Sequence, residues 1–399
     1  MSPSQPRLAW PDIAKGISIL GVVLLHVTLT VPESSETRLA AFNVWLDPLR
    51  LPLFFLVSGY FSSKVFSFTF PQLFARRLWY FLVPYVVWMA VELQVKRVEL
   101  HWVFESPLFD RNEMLFNMVV GHTMAWFIHA LIFFNIFLWC VRKLPGWLAL
   151  LLSFAPLLFM AWQAHYTVIA KAMMFLPVFV GAAFFRDWIT RFAAEAEAPF
   201  QGRFTRTTFF VYAGVIASYA GGFLFRRAWD EYPQEVFIPW PLPGAEYLTS
   251  NEVHIMVRFV EQTLEVPFGI VMAIWVSHLP KVSTALRFVG SHTLPIYLGH
   301  SIGLTIGYGF FMAWFPHTVS LDGQTLLDNT RFWLIACFVF AVLAALALWA
   351  LGKVPIVGWL LKPPSITHLV ETAPRRDHPE NEASLSMGAG PTRPHRIQI

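Results

Sequence analysis

Long apolar runs follow one another along the chain, and that succession leaves few architectures open. A bilayer core of roughly 30 Å takes about 20 apolar residues as one helix. In lipid, each such segment must satisfy its own backbone groups, which a helix does. By that length rule about ten segments qualify: 11–31, 44–66, 74–95, 118–141, 146–163, 168–186, 207–225, 254–279, 286–314 and 330–352. The predicted fold is therefore all-α, a polytopic membrane protein of about ten transmembrane helices. Composition agrees. Of 399 residues, 56% are hydrophobic and only 14% charged, against about 25% charged in a soluble domain. The 39 Phe and 17 Trp suit a chain with many contacts at the two bilayer interfaces.

The net charge of +4 is no sign of nucleic acid, because the basic residues lie in short loops between apolar runs. Those loops set an orientation instead. With the N-terminus inside, Arg76-Arg77, Arg142-Lys143 and Lys281/Arg287 all fall on the inner side. Both termini are then cytoplasmic. The first run lacks a small-residue cleavage site and reads as a permanent span. Residues 1–362 form the membrane domain. Residues 363–399, rich in Pro, Glu and Ser, read as a disordered cytoplasmic tail. Cys140 and Cys337 sit in apolar runs as small core residues, with no disulfide or metal spacing.

Ionisable groups inside spans are costly and tend to be functional. In the first span, Lys15 and His26 are eleven positions apart, almost three helical turns, so they share a face about 16 Å apart along the axis. Asp12 lies on nearly the same face. Lys15 belongs at the cytoplasmic headgroups and His26 deep toward the outer half, where an imidazole can take and return a proton. At the third span, Arg76 and Arg77 offer tandem guanidinium groups to phosphates. In the fourth, His122, Trp126 and His129 are spaced four and three apart and read as a polar cavity wall. They lack a metal-binding spacing and a third ligand. In the eighth, His254, Arg258, Glu261 and Glu265 form one polar stripe that must face protein or water. Arg258 is placed to pair with Glu261. Glu261 lies at about the depth of His26 by residue rise, so Glu261 or Glu265 is expected to hold the His26 tautomer. The outer loop from Arg226 to Val253 carries Trp229, Tyr232, Trp240 and Tyr247 among Pro233, Pro239, Pro241 and Pro243. It reads as an interfacial loop or a sugar-stacking platform.

Five motifs in order resemble the membrane acyltransferase-3 family, which modifies bacterial envelope carbohydrates. Asp12-Ile-Ala-Lys15-Gly16-Ile17 with His26 resembles the family's first-span pattern, with Lys where Arg is commoner. Pro52 to Phe61 is similar to its Pro-Leu-Phe-Phe-x-x-Ser-Gly-Tyr. Arg76-Arg77 with Pro84, Trp126-Phe127, and Leu294-Pro-Ile-Tyr297-Leu-Gly-His300 resemble its later motifs. The resemblance covers essentially the whole membrane core. It implies O-acylation, typically O-acetylation, of a sugar hydroxyl on an envelope glycan or glycolipid. Acyl-coenzyme A serves as co-substrate with no permanently bound cofactor, and the setting is the bacterial plasma membrane. His26 is the catalytic residue the resemblance implies, with Glu261 orienting it. Lys15, Arg76 and Arg77 are the candidate donor-binding residues. Ser58 and Tyr60 are candidate oxyanion donors, and Tyr297 and His300 join the cavity wall. No esterase-like domain follows the spans, so a single transfer step is expected. The other class compatible with an intramembrane polar stripe is a transporter or flippase of a lipid-linked sugar, although no pair of inverted half-repeats is visible.

Overall fold

The computed structural model describes residues 8–108, 110–232, 235–315 and 325–371. Helix α1 (Trp10–Thr30) opens on Pro11, tolerated in a first turn because its missing N–H has no intrahelical partner there, and carries Asp12 at its positive end. α2 (Arg38–Tyr60) starts where the Thr37 hydroxyl accepts the Ala40 N–H and returns alongside α1. α3 (Phe70–Val103) begins on a Thr69/Gln72 capping box and runs as a π-turn through Phe74–Leu78, the segment bearing Arg76 and Arg77. Then come α4 (Arg111–Val120), α5 (Trp126–Val141), α6 (Gly146–Leu152), α7 (Thr167–Phe184), α8 (Arg186–Glu197) and α9 (Arg206–Asp230). Two-residue strands β1 (Ile238–Pro239) and β2 (Tyr247–Leu248) pair antiparallel in the loop before α10 (Ser250–Ser277). Helices α11 (Pro280–Ser291), α12 (Thr293–Leu304), α13 (Phe310–Trp314) and α14 (Thr330–Leu351) complete the bundle.

By length and composition, 7 of the described helical runs can cross a membrane: α1, α2, α3, α7, α9, α10 and α14. The other three expected segments are broken. Gly121, at φ 74, ends α4 in the left-handed conformation, so 118–141 holds only the shorter α5. Segment 146–163 changes from α-helix to a 3₁₀ turn at Ala155–Trp162. Segment 286–314 breaks at His292 (φ -120, ψ 31) and continues through a second π-turn, Thr305–Gly309.

Phe55, fully buried on α2, is the hub of the main core. It meets Phe127 and Phe134 of α5 and Phe175 of α7 at ring centroids 4.6, 5.2 and 4.9 Å away. A second cluster joins α1, α2, α8 and α10, and a third joins α1, α12 and α14. α11 lies against the start of α1 at backbone contact distance. A Cβ on Gly290 would strike the Asp12 carbonyl, and one on Gly16 would strike that of Leu286.

The segment after α14 folds back on α3. Trp88 Nε1 donates to the Leu360 carbonyl and Trp79 Nε1 to that of Pro364, both at 3.0 Å. The expected boundary at 362 therefore falls in a bonded stretch. Residues 372–399 of the expected tail lie outside the described residues, as does Pro233 of the Arg226–Val253 loop. In that loop Trp229 Nε1 donates to His254 Nδ1 at 3.1 Å, tying it to α10.

Candidate functional site: two cavities and a histidine pair

At the end of the bundle where α1 begins, Lys15 pairs with Asp12 at 2.9 Å and reaches over the Phe61 ring at 5.9 Å. A cavity of about 250 Å³ opens here, lined by Lys15, Ile19, Val22, Ser58, Arg77 and Tyr297 among others. Arg77 is anchored by donating to the Phe61 carbonyl. Arg76 turns away: it is exposed, stacks on Phe68 at 5.6 Å and does not line the cavity. The tandem pair is thus split in role. Tyr60 is also turned from the cavity. Its hydroxyl bonds Thr190 Oγ1 at 2.9 Å, and Arg186 covers its ring.

A second, larger cavity of about 820 Å³ opens at the other end, lined by Leu25, Asp47, Arg50, Arg258, Glu261 and Glu265 among others. Helix α1 contributes to both linings, Val22 to the first and Leu25 to the second. His26 follows on α1 next to Leu25 and is in the lining of neither cavity. Its ring lies against that of His300, with centroids 5.0 Å apart and planes at 47°. His300 is 1% exposed. Its Nδ1 lies 3.2 Å from the Ile296 carbonyl, which can only accept, so Nδ1 carries the proton. The Nε2 lone pair has no hydrogen-bond partner among the described residues. One turn earlier, Tyr297 donates to the Met124 carbonyl at 2.5 Å and accepts the Phe127 N–H at 3.2 Å. That clamp fixes α12, and so His300, against the start of α5.

The stripe on α10 lines the second cavity with partners other than those expected. Arg258 pairs with Asp47 of α2, not with Glu261. Glu261 pairs with Arg226 of α9 at 3.5 Å. No described contact joins Glu261 to His26. The ring beside His26 is His300. The misassignment has a simple origin. Counting along single helices gives depth, but α9 and α2 supply nearer opposite charges than the neighbouring turn of α10.

Arg50 was missed in the sequence. It is 5% exposed, pairs with Asp47, donates from Nη1 to the Asn43 carbonyl at 2.9 Å, and lays its chain across Gly21, where a Cβ would sit 2.7 Å from Cγ. An arginine within a run of Leu and Pro was the available signal. Lys171 is the other omission. It covers the Trp126 ring at 4.5 Å, with Phe175 stacked on that ring at 5.9 Å. His122 is not on a shared helical face with Trp126 and His129, because α5 begins only at Trp126. His129 is buried and its Nε2 meets the Val119 carbonyl at 2.9 Å.

Helix α1 thus carries one member of an imidazole pair and lines two cavities, one beside Lys15 and Arg77 and one along the polar stripe of α10. Residues 8–350 match the acyltransferase-3 family, described as an acyltransferase domain. The chain belongs to that family and is an enzyme that transfers acyl groups. No curated protein and no solved structure matches it.

Proposed function

We propose that the protein is an O-acyltransferase, most simply an O-acetyltransferase. It moves an acyl group from cytoplasmic acyl-coenzyme A to a hydroxyl of an envelope glycan or glycolipid at a bacterial plasma membrane. The observation that supports this reading is the His26–His300 ring pair, one ring of it on α1, the helix that also contributes Lys15 and Val22 to one cavity and Leu25 to the other. In this reading the shorter segments Trp126–Val141, Gly146–Trp162 and Thr293–Trp314 also cross the bilayer, giving about ten spans with both termini inside.

Lys15 and Arg77 hold donor phosphates at the inner mouth, Arg77 as a bidentate-capable guanidinium. The thioester enters the first cavity toward Val22 and Tyr297. The acceptor hydroxyl comes from the second cavity. His26 takes the hydroxyl proton as the oxygen attacks the thioester carbonyl. The C–O bond forms, the C–S bond breaks, and the proton passes from His26 to the leaving thiolate. His300, held by its backbone bond, positions the His26 ring. A two-step route, with the acyl group carried briefly on His26, uses the same placement.

The test is equilibrium binding of acetyl-coenzyme A to purified protein, with Arg76→Ala/Arg77→Ala beside wild type. Saturable binding lost in the double variant supports the reading. Absence of binding to folded wild-type protein overturns the assignment of the donor.

A further inference from the structure

Past the cationic mouth at Lys15 and Arg77, the first cavity is walled mainly by apolar side chains, among them Ile19, Val22, Phe54 and Ile128. The Tyr297 hydroxyl in that wall is engaged, as donor to the Met124 carbonyl and acceptor from the Phe127 N–H. Asn135 of α5 differs. It is 1% exposed and lines the same cavity. Its Nδ2 donates to the Leu131 carbonyl at 2.8 Å, while its Oδ1 has no hydrogen-bond partner. Turned the other way, the amide would set Oδ1 against a carbonyl oxygen, so the bond fixes which atom is which. Among the described residues, this Oδ1 is the one buried unpartnered polar side-chain atom in the cavity lining.

Packing does not call for that atom. A leucine has the same branched outline and would leave nothing unpaired, and a half-satisfied amide in an apolar wall costs stability. The placement suits a ligand. Ile128, Leu131 and Asn135 follow at spacings of three and four, so one face of α5 forms the wall. Phe127 marks its deep end, packed on Tyr297 with ring centroids 5.7 Å apart. Asn135, further along α5, stands about 12 Å nearer the mouth by helical rise. A donor with phosphates on Lys15 and Arg77 and its thioester toward Tyr297 has to run past it. Between those ends the arm of coenzyme A holds secondary amides. Each brings an N–H that needs an acceptor once water is left behind. The Asn135 side chain can turn to meet one, because the Leu131 carbonyl also takes the backbone N–H four positions on in the helix.

We infer that Asn135 is a donor-recognition residue, its Oδ1 accepting an amide N–H from the arm of acyl-coenzyme A as the arm passes along α5. This rests on the proposed transfer reaction and deepens it. The donor is read by the amides of its arm as well as by its phosphates. An acyl phosphate, with no amide, meets Lys15 and Arg77 alone.

The experiment uses the full chain in phospholipid nanodiscs, wild type beside Asn135→Leu. Calorimetric titration with acetyl-coenzyme A is paired with titration of adenosine 3′,5′-bisphosphate, which has phosphates to bind cations and no arm. The midpoint of thermal unfolding is measured without ligand. Asn135→Leu is expected to weaken acetyl-coenzyme A about tenfold and to leave the nucleotide within about twofold. It is expected to unfold at or above the wild-type midpoint, since it removes an unpaired polar atom. A residue kept for packing alone would lower the midpoint and move both ligands together. If Asn135→Leu does not fold, Asn135→Ala, which only removes atoms, is expected to weaken acetyl-coenzyme A likewise. The inference is overturned if the nucleotide weakens as much as acetyl-coenzyme A. Absence of acetyl-coenzyme A binding to folded wild type overturns the proposed donor, and binding that persists unchanged in a folded Asn135 variant overturns this inference alone.

Discussion

The imidazoles of His26 on α1 and His300 on α12 face each other with ring centroids 5.0 Å apart, and only His300 is tethered to its own backbone, at Ile296. In the proposed reaction the fixed ring sets the position of His26. His300→Ala is expected to lower turnover about 10²-fold through misplacement of His26, with acyl-coenzyme A binding within about threefold of wild type, since His300 is absent from the donor cavity lining. His300→Asn, which keeps a donor for the Ile296 carbonyl, should recover part of the loss. Steady-state kinetics with separate binding titrations check the split.

Arg76 and Arg77 are adjacent in sequence but differ in placement. Arg77 lines the first cavity while Arg76 stacks on Phe68. Loss of one charge-assisted contact costs roughly 1.5–3 kcal/mol. Arg77→Ala is thus expected to weaken acetyl-coenzyme A binding about tenfold or more, and Arg76→Ala by less than about threefold. Calorimetric titration of the two single variants decides it.

The fold was legible in the sequence wherever a run was long, apolar and uninterrupted: α1, α2, α7, α9, α10 and α14 fall where hydropathy placed them. Hydropathy sums over a window and is blind to a single left-handed residue. That is why Gly121 and the break at His292 went unseen. The site was legible one helix at a time. Lys15 and His26 share a face of α1 as spacing required. Which charge meets which across helices depends on packing, so the partners of Arg258 and Glu261 were assigned within α10 when they come from α2 and α9.

Gly290 and Gly16 let α11 touch α1 backbone to backbone. Gly290→Ala forces the helices apart, and overpacking of this kind costs about 1–3 kcal/mol. A lower midpoint of thermal unfolding in nanodiscs is expected. Gly214→Ala, at a helix-interior position open to space, should not lower the midpoint and should raise it slightly, because Ala is the better helix former.

Asp47 is the shared counter-charge of Arg50 and Arg258. Asp47→Asn leaves two guanidinium groups short of a counter-charge in the bundle. After allowing for partial exposure, a loss of about 2 kcal/mol is expected. Asp47→Asn/Arg258→Gln should be destabilised by less than the sum of the single variants, because the pair is coupled. A double-mutant cycle by thermal unfolding measures the difference.

The most direct test of the account is the behaviour of His26→Ala in folded, purified protein. It is assayed with radiolabelled acetyl-coenzyme A and a total envelope glycolipid and polysaccharide extract. The account predicts acetyl-coenzyme A binding within about threefold of wild type and a fall in acetyl transfer of about 10²–10⁴-fold, the usual worth of a positioned acid–base group. Transfer at the wild-type rate by His26→Ala would contradict it.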